Sequence, residues 1–211
     1  MRKKAYDSIL SVVHFIFVLY LAIIAQFIIQ LIALSVNGIN PIVYMKKSLA
    51  LLILAFTSRS SVGCLPVTIE TLTQKLGVNQ ATASFVAGFG TTAGMQGCAG
   101  IFPSLLIVYV CHLTGTVMDF SMIVMTIIVV TLGSLGIAGI PGTATMAASV
   151  GLSGVGMASS FSLIGPILAI DPLIDMARTM LNVSGSVTNA LIIDKRLGNL
   201  DENIYNEINK N

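Results

Sequence analysis

Long apolar stretches separated by polar or glycine-rich breaks run through most of the chain, and their lengths predict helices at membrane depth. The first stretch, residues 8–36, has no formally charged side chain. It exceeds the ~20 residues that a helix needs to cross the hydrocarbon core of a bilayer. The turn-forming residues Asn37-Gly38-Ile39-Asn40-Pro41 follow it. We therefore predict a transmembrane helix and a linker over residues 1–44.

Two later regions each contain a pair of apolar segments that are too short to cross a membrane, joined by a polar or glycine-rich tip. In residues 45–77 the tip runs from Thr57 to Pro66, and in residues 118–161 it runs from Gly133 to Gly142. Non-helical backbone is tolerated at membrane depth only where it is buried in protein or lines a cavity. We interpret both regions as re-entrant helical hairpins.

A long apolar segment follows each hairpin. Residues 78–114 form the first one, and five glycines between positions 88 and 100 interrupt its middle. Each glycine weakens a helix by about 1 kcal/mol relative to alanine. The segment therefore either unwinds there or uses the glycines as a close helix-packing face. Residues 162–194 form the last transmembrane helix, and residues 195–211 form a polar tail that we place in the cytoplasm.

The order of hairpin and crossing helix occurs twice along the chain. Because a re-entrant hairpin does not cross the membrane and the helix after it does, the second unit enters from the opposite side, which predicts an inverted repeat. Paired apolar segments interrupted by Gly or Pro in corresponding positions are the best sequence indicator of the binding site of a secondary transporter.

The last helix carries a polar line on an otherwise apolar surface. Asp171, Asp175, Arg178 and Asn182 recur at helical intervals on one face. A charge within a membrane span costs at least ~2.5–3.5 kcal/mol on insertion scales, so such side chains face a protein interior or a watery cavity. Arg178 would bind a carboxylate through its planar fork, and Asp175 would bind an ammonium group. This pattern indicates a site for a polar or zwitterionic solute.

The polar line by itself is also compatible with two other interpretations. Asp171, Asp175 and Arg178 could form a purely structural ion pair that locks helices together. The two carboxylates could also share a proton, as in an intramembrane aspartyl protease. Against the protease, both acids lie on one helix, Arg178 is adjacent, and the hairpin tips have no role in that chemistry.

The composition assigns the chain to the integral membrane proteins. Of its 211 residues, 55% are hydrophobic and 9% are charged, and the mean hydropathy is +0.92, whereas soluble domains carry about 25% charged residues. The three cysteines and two histidines lack metal-ligand spacing, and nothing resembles a nucleic-acid-binding patch. We expect a multi-pass protein of the plasma membrane, surrounded by lipid, that is not an enzyme and uses no cofactor.

Four motifs occur in order along the chain. They are Arg-Ser-Ser-Val-Gly-Cys-Leu-Pro at 59–66, Gly-Thr-Thr-Ala-Gly-Met-Gln-Gly-Cys at 90–98, Gly-Ile-Pro-Gly at 139–142, and Asp-Met-Ala-Arg-Thr-Met-Leu-Asn-Val-Ser-Gly at 175–185. Together they resemble the sodium:dicarboxylate symporters, the family of the glutamate/aspartate transporters. The first tip and the Gly-Cys-Ala-Gly at 97–100 look most like the branch that takes up L-cystine.

The resemblance implies an all-α, elevator-type transport domain over residues 45–194, with the first hairpin towards the cytoplasm and the second as the outer gate. In the family, scaffold helices that precede the counterpart of the first helix of this chain form a homotrimer. By this resemblance this sequence does not include those scaffold helices. We therefore expect a truncated or split form. The alternative is a non-transporting fragment that needs an N-terminal partner chain.

The resemblance also implies roles for residues of the substrate site. By this correspondence Asp175 holds the substrate amine, Arg178 holds a side-chain carboxylate, and Thr179 and Asn182 hold the main carboxylate. The two tips contribute contacts through Ser61 and Ile140. The full set of substrate-binding positions is Ser61, Cys98, Ile140, Asp175, Arg178, Thr179 and Asn182.

The cation-binding positions that the resemblance implies form two sets that rely on backbone carbonyls. They are Gly90, Gly94, Asn182 and Ser186 in one set, and Thr92, Ser134, Leu135 and Ile137 in the other. Gln96 and Ser186 stand where the family has carboxylates that bind cations. The coupling ion therefore stays open between sodium and a proton carried by Asp175 or Asp171.

The expected function is cation-coupled symport of an amino acid. Cys98 stands where the members that transport acidic substrates use a hydroxyl, which argues against glutamate or aspartate. L-cystine is the first candidate substrate. A dicarboxylate or a neutral amino acid is the alternative.

Overall fold

The computed structural model describes residues 2–207, with side chains from residue 10 onward, and every regular element in this part of the chain is helical. Ten α-helices are joined by turns, two π-helical segments and one 3-10 helix. The α-helices are α1 Arg2–Val36, α2 Pro41–Ser58, α3 Leu65–Glu70, α4 Gln80–Gly90, α5 Phe102–Thr114, α6 Phe120–Ser134, α7 Ala144–Gly154, α8 Gly165–Ala169, α9 Asp171–Leu197 and α10 Glu202–Asn206. The all-α prediction is confirmed for these residues.

Three helical stretches are long and apolar enough to cross a membrane. They are Leu10–Val36, Pro41–Ser58 and Gln96–Thr114. A fourth span is formed if the bent pair of residues 158–169 and α9 is counted as one. The structure therefore has three to four candidate spans, as expected for a multi-pass membrane protein.

The first hairpin consists of α2, a tip at residues 59–64, and an arm of α3 followed by a π-helical segment, Thr71–Lys75. Its first arm, α2, is long enough to cross a membrane, so the prediction that both arms of this hairpin are too short is wrong for this arm. Helix α2 begins earlier than predicted because Asn40 caps it by accepting the N–H of Ile42 at 2.9 Å and Pro41 occupies the first turn. At the base, Lys47 Nζ donates to the carbonyl of Lys75 at 2.9 Å. The two arms therefore return to the same end.

The second hairpin consists of α6, a tip at residues 135–143, and α7. Its arms pack side by side in antiparallel order. A Cβ added to Gly133 would lie 2.8 Å from Val150, and one added to Gly154 would lie 2.3 Å from Val129. Glycine at these two positions lets the arms approach each other closely.

The segment between the hairpins is broken in its middle. Helix α4 begins after Asn79, which accepts the N–H of Ala81 at 2.9 Å, and it ends at Gly90. Residues 91–95 leave the helix, with Gly94 at φ +87°. The chain then resumes as a π-helical segment, Gln96–Ile101, that leads into α5. Of the two alternatives for these glycines, the structure shows the unwound helix, between Gly90 and Gln96.

The last segment departs from the single helix predicted over residues 162–194. A 3-10 helix, Ala158–Ile164, and the short α8 precede α9, and the axis turns by 86° between this pair and α9. Pro166 and Pro172 lack the N–H groups that a continuous helix would need, and Ile170 between them has φ −98° and ψ 2°. The bend places Asp171 at the start of a new helix.

Helix α9 runs between two hydrophobic cores. One core joins its first half to α5, α7 and the first part of α1, and the other joins its second half to α2, α4 and the end of α1. Because α1 contributes Leu19 to the first core and Leu34 to the second, it packs on the same body as the hairpins.

The polar tail is folded as far as the structure describes it, while residues 208–211 lie outside the described part of the chain. Helix α10 packs Tyr205 into the second core, where 3% of this side chain is exposed. Tyr205 Oη donates to the carbonyl of Asn40 at 2.8 Å, and Lys47 Nζ donates to the carbonyl of Ile204 at 2.5 Å. These contacts hold the tail against the base of the first hairpin.

Candidate functional site

The two hairpin tips touch each other and the break after α4. The carbonyl of Gly139 accepts the N–H of Val62 at 3.1 Å and the hydroxyl of Ser60 at 3.3 Å. The N–H of Gly139 donates to the carbonyl of Thr91 at 2.8 Å. A Cβ at Gly139 would lie 2.8 Å from the Cβ of Ser61 and from the Thr91 carbonyl. Glycine is needed at this position because three backbone segments converge there.

A cluster of charged side chains lies beside these tips. Arg178 is fully buried, and its Nη2 donates to Asp171 Oδ1 at 2.5 Å and to Asp175 Oδ1 at 3.2 Å. Its guanidinium carbon lies 3.9 Å from the ring centroid of Phe102, a cation–π arrangement. Neither Nε nor Nη1 of Arg178 has a hydrogen-bond partner among the described residues. Two buried donors of Arg178 are thus available for further acceptors, such as a carboxylate oxygen of a ligand.

Arg59 adds a second cation to the cluster, and the site residues predicted from the sequence did not include it. Its Nε lies 3.7 Å from Asp175 Oδ2, so Asp175 lies between two guanidinium groups. Arg59 ends α2 with φ +55°, a left-handed conformation that turns the chain into the tip. The available signal was a charged residue at a tip predicted to lie at membrane depth, where a charge indicates a site.

Asn182 connects the last helix to the π-helical segment after the break. Its Oδ1 accepts the N–H of Gly97 at 2.7 Å and that of Cys98 at 3.4 Å, and its Nδ2 donates to Cys98 Sγ at 3.1 Å. The Cys98 thiol in turn donates to Asp175 Oδ1 at 3.4 Å. A Cβ at Gly97 would lie 2.7 Å from the carbonyl of Arg178, so glycine allows this close packing.

The predicted substrate residues fall into a buried group and an exposed one. The buried members, each less than 7% exposed, are Ser61, Cys98, Asp175, Arg178, Thr179 and Asn182. Hydrogen bonds join Arg178 and Cys98 to Asp175, and Asn182 to Cys98. Ile140 is 49% exposed, and it follows Gly139 on the second tip.

The first predicted cation set brings Gly90 against Ser186. A Cβ at Gly90 would lie 2.2 Å from Ser186 Oγ, and this hydroxyl donates to the carbonyl of Asn182 at 3.3 Å. Ser186 also lines a cavity of about 10 Å³ together with Ser61, Thr68 and Thr91, the size that holds one water. Gly94, the remaining member of the set, has its positive φ in the break. These ligands would all be neutral oxygens.

The second predicted cation set is divided between the break and the start of the second tip. Thr92 is exposed and donates to the carbonyl of Phe89 at 3.2 Å, and Ser134 donates to the carbonyl of Thr131 at 2.7 Å. Leu135 is 60% exposed, whereas Ile137 is buried against Met95 and Cys98. No group of three His, Cys, Asp or Glu side chains within the part of the chain that the structure describes could hold a metal ion.

A buried network of neutral polar side chains lies next to the site, and it was not predicted from the sequence. Gln30 Nε2 donates to Gln96 Oε1 at 2.7 Å, and Ser184 Oγ donates to Gln30 Oε1 at 2.5 Å. Tyr44 Oη lies 2.6 Å from Ser184 Oγ. The network ties α1 and α2 to α9 and to the segment that begins at Gln96. Gln26 and Gln30, one turn apart in an apolar helix, were the signal for it.

The geometry of the charged cluster argues against the protease interpretation. Arg178 hydrogen-bonds both Asp171 and Asp175, whereas a carboxylate pair that shares a proton needs the two acids facing each other. The two carboxylates pair with Arg178 and not with each other, next to the point where the two hairpin tips touch.

Comparisons with known proteins agree with the motifs. Residues 1–196 match the sodium:dicarboxylate symporter family. The chain is 42% identical to the L-cystine uptake protein TcyP of Bacillus cereus over 202 residues, which are 95% of this chain and 43% of the relative. It is 41% identical to the protein of the same name from Bacillus licheniformis, with the same coverage, and 41% identical to that from Shouchella clausii over 93% of this chain and 42% of the relative.

The chain thus spans less than half the length of the curated relatives that it matches. The match nevertheless runs through both hairpins, the break and the charged face of α9. This chain therefore belongs to the sodium:dicarboxylate symporter family, whose members are membrane transporters and not enzymes.

Proposed function

We propose that this chain provides the substrate-binding part of a cation-coupled amino-acid symporter of the plasma membrane, with L-cystine as its substrate. The observation that carries the proposal is the fully buried Arg178, with two donors that no described residue accepts, beside Asp175 and Arg59. A buried cation with unused donors suits a carboxylate ligand. The relatives named above are L-cystine uptake proteins, which supports this substrate.

The charge balance of the cluster supports L-cystine over a dicarboxylate. Two acids, Asp171 and Asp175, face two bases, Arg59 and Arg178. L-cystine carries two ammonium and two carboxylate groups and is neutral overall near pH 7. It adds no net charge to a site that is already balanced, whereas a dicarboxylic amino acid adds one negative charge. An uncompensated charge at this depth is costly.

In this proposal the substrate lies between the two tips and the polar face of α9. Asp175 holds the amino group of one half of L-cystine, and Thr179 and Asn182 hold the carboxylate of that half. Arg178 holds the carboxylate at the far end of the molecule, in the other half. Ser61 and Cys98 lie against the buried side, and Ile140 covers the site from the second tip. The two hairpins form an inverted repeat, and the second hairpin acts as the gate of an elevator-type transport domain.

The coupling ion in this proposal is bound by neutral oxygens of the two sets that contain Gly90 and Ser134. Ser186 and Gln96 stand where other members of the family have carboxylates, so the sites bind sodium weakly, or a proton on Asp175 replaces one sodium. Gradient dependence distinguishes the two, because a sodium-coupled protein loses uptake when sodium is replaced by choline, whereas a proton-coupled one loses uptake when the proton gradient is dissipated.

The remaining part of the symporter supplies the scaffold and the trimer contacts in this proposal. The supporting fact is that the chain matches 43% of its relatives. We expect transport to require the part of the symporter that corresponds to the unmatched region of the relatives.

The experiment is radiolabelled L-cystine uptake in cells that express this chain alone or with the unmatched part of the Bacillus cereus relative. Uptake is expected only from the pair, and excess unlabelled L-cystine should compete for it more strongly than aspartate does. The pair carrying Arg178→Ala serves as the inactive control. Uptake that aspartate blocks more effectively than L-cystine would contradict the proposed substrate.

A further inference from the structure

Three sulfur atoms lie together where α5 meets the two ends of the second hairpin. Cys111 Sγ, in the last turn of α5, is 3.6 Å from Met122 Sδ and 3.8 Å from Met157 Sδ. Met122 lies in the first turn of α6, and Met157 follows the end of α7. Cys111 is 4% exposed, Met157 is 8% exposed, and Met122 is half-buried. None of the three residues belongs to the substrate or cation sets described above.

Cys111 differs from the other two cysteines in the groups that it contacts. Cys64 Sγ lies 3.2 Å from the hydroxyl oxygen of Ser58, and Cys98 Sγ accepts from Asn182 Nδ2 at 3.1 Å. Those partners are oxygen and nitrogen groups, whereas Cys111 contacts two thioether sulfurs. Thiolate and thioether sulfurs are soft ligands that select soft ions such as Cu⁺. The cluster at Cys111 thus has the ligand chemistry of a soft-metal site.

The spacing of the sulfur atoms fits an ion between them. A ligand sulfur lies ~2.3 Å from a bound ion with a filled d shell, and three sulfurs at that distance in one plane around the ion are ~4 Å apart. The two separations from Cys111 Sγ, 3.6 and 3.8 Å, are close to this value. Methionine side chains have three rotatable bonds and adapt readily. A small adjustment of Met122 and Met157 therefore completes the coordination.

The apolar surroundings of the cluster select the charge of the ion. Cys111 and Met157 belong to the core that joins α9 to α5 and α7, and Met122 packs against it. An uncompensated charge buried there would be costly. When an ion binds, the thiol of Cys111 loses its proton to water and a sulfur–metal bond forms. One thiolate and two neutral thioethers balance a monovalent ion, whereas a divalent ion would leave one positive charge.

The cluster lies close to a surface loop. Cys111 is in the last turn of α5, and residues 115–119 connect this helix to α6. Residues 115–117 are exposed, and Met118 is half-buried and packs against the same core as the cluster. An ion can therefore reach the sulfur atoms from this loop.

We propose that Cys111, Met122 and Met157 form a binding site for a soft monovalent metal ion, Cu⁺ or Ag⁺. Met122 and Met157 are 11 and 46 positions after Cys111 in the chain, so no short spacing motif indicates the site. Two of its three ligands are methionines, which lie outside the His, Cys, Asp and Glu groups considered above. Because Met122 begins one arm of the second hairpin and Met157 follows the other, a bound ion fastens the base of this hairpin to α5.

Binding of Ag⁺ tests the proposal, because this ion is stable in air and has the charge and softness of Cu⁺. The full chain, purified in detergent, is dialysed against silver nitrate in a buffer without chloride, and the bound silver is counted by elemental analysis. The unmodified chain should retain one ion more per molecule than Cys111→Ser, which keeps Cys64 and Cys98 and so corrects for silver bound there. Equal retention by the two proteins would overturn the proposal.

Two methionine variants keep the test decisive if Cys111→Ser folds poorly. Met122→Leu and Met157→Leu each remove one sulfur and conserve volume, a change that cores usually tolerate. The dissociation constant for Ag⁺ should rise more than about tenfold in each, because even outer-shell partners of a metal typically carry ~10–100-fold of its affinity. Met125→Leu is the matched control, since Met125 lies on the same helix as Met122 but is 47% exposed, and it should bind like the unmodified chain. Unchanged affinity in both Met122→Leu and Met157→Leu would overturn the proposal.

X-ray absorption and competition with zinc identify the ligands and the class of ion. The chain loaded with one equivalent of Cu⁺ under reducing conditions should show sulfur neighbours at ~2.3 Å from the copper, and oxygen or nitrogen neighbours would contradict the site. An excess of Zn²⁺ should leave the bound silver in place, and its displacement would overturn the choice of a monovalent ion. These measurements require no transport, so their outcome is independent of the proposed function.

Discussion

The side-chain oxygen of Asn182 accepts the backbone N–H of Gly97 at 2.7 Å, which joins the middle of α9 to the first turn after the break. The broken segment would otherwise leave this buried donor unpaired, and an unsatisfied buried group costs about 1–3 kcal/mol. The same amide donates to Cys98 Sγ. One side chain therefore holds the unwound backbone in place beside Asp175.

Replacing Asn182 should destabilise the protein most when the new side chain has no oxygen to accept the N–H groups of Gly97 and Cys98. Asn182→Ala is expected to lower the free energy of unfolding by about 1–3 kcal/mol because the N–H groups of Gly97 and Cys98 lose their acceptor. Asn182→Ser keeps a neutral oxygen that can accept a hydrogen bond and should lose less. Thermal unfolding of the detergent-purified protein measures both, and equal losses from the two variants would argue against this role.

Removing Arg178 should abolish uptake. Arg178→Ala leaves Asp171 and Asp175 as neighbouring buried acids, and breaking a buried ion pair typically costs about 3–5 kcal/mol. We expect uptake by the pair to fall to background.

A neutral version of the cluster separates a binding role of Arg178 from a purely structural one. In the variant Arg59→Gln, Asp171→Asn, Asp175→Asn, Arg178→Gln all four charges of the cluster are removed, so the protein should reach the membrane at normal levels but still fail to take up L-cystine. Recovery of uptake in this variant would mean that the ion pair only holds the helix in place.

Adding a methyl group at Gly139 should separate the two tips. The new Cβ of Gly139→Ala would lie 2.8 Å from the Cβ of Ser61 and from the Thr91 carbonyl, so one of the backbone segments must move. We expect a large loss of uptake with normal membrane levels. Gly165→Ala is the matched control, because its added Cβ meets no atom within 4 Å and its φ is −47°. Similar uptake from both variants would show that the contact between the tips is dispensable.

Restoring acids at the two neutral positions should strengthen sodium binding. Ser186→Asp places a carboxylate near the carbonyl of Asn182 and the hydroxyl groups of Ser61, Thr68 and Thr91. Gln96→Asp places one near the side-chain amides of Gln26 and Gln30. At either position a negative charge attracts the cation. The sodium concentration for half-maximal uptake should fall about tenfold for the better variant, the equivalent of about 1.4 kcal/mol. Ser186→Asn adds similar bulk without charge and should not lower it. An unchanged sodium dependence in both acidic variants would place the coupling ion elsewhere.

Tyr205 should make stability sensitive to alkaline pH. Burial raises the pKa of its hydroxyl above the usual value near 10. The neutral form is therefore favoured in the folded state, and its contribution is complete below pH ~10 and is lost as the pH rises above it, because the unfolded chain ionises first. The melting temperature of the intact protein should fall more steeply above pH ~10 than that of Tyr205→Phe. Parallel curves would contradict this assignment.

Much of the architecture follows from local sequence. The apolar runs, the caps at Asn40 and Asn79, and the glycine-rich breaks predict where helices begin and end, because capping and helix propensity depend on neighbouring residues. The polar line from Asp171 to Asn182 was visible for the same reason, since helical periodicity places its members on one face.

Contacts between segments that are distant in the chain could not be predicted from local sequence. The pairing of Arg59 with Asp175, the meeting of Gly139 with Ser61, and the packing of Tyr205 against Asn40 join residues far apart in the chain. The 86° bend before α9 also depends on how the segments around Pro166 and Pro172 pack.

The sequence by itself determined that the chain is an all-helical membrane protein with two tips, a broken helix and a charged face, since these features are set by hydrophobic length and by turn chemistry. Only the tertiary structure decided which side chains meet. It paired Asp175 with a second arginine and built the amide network at Gln96, because such contacts depend on close packing between helices that are distant in the sequence.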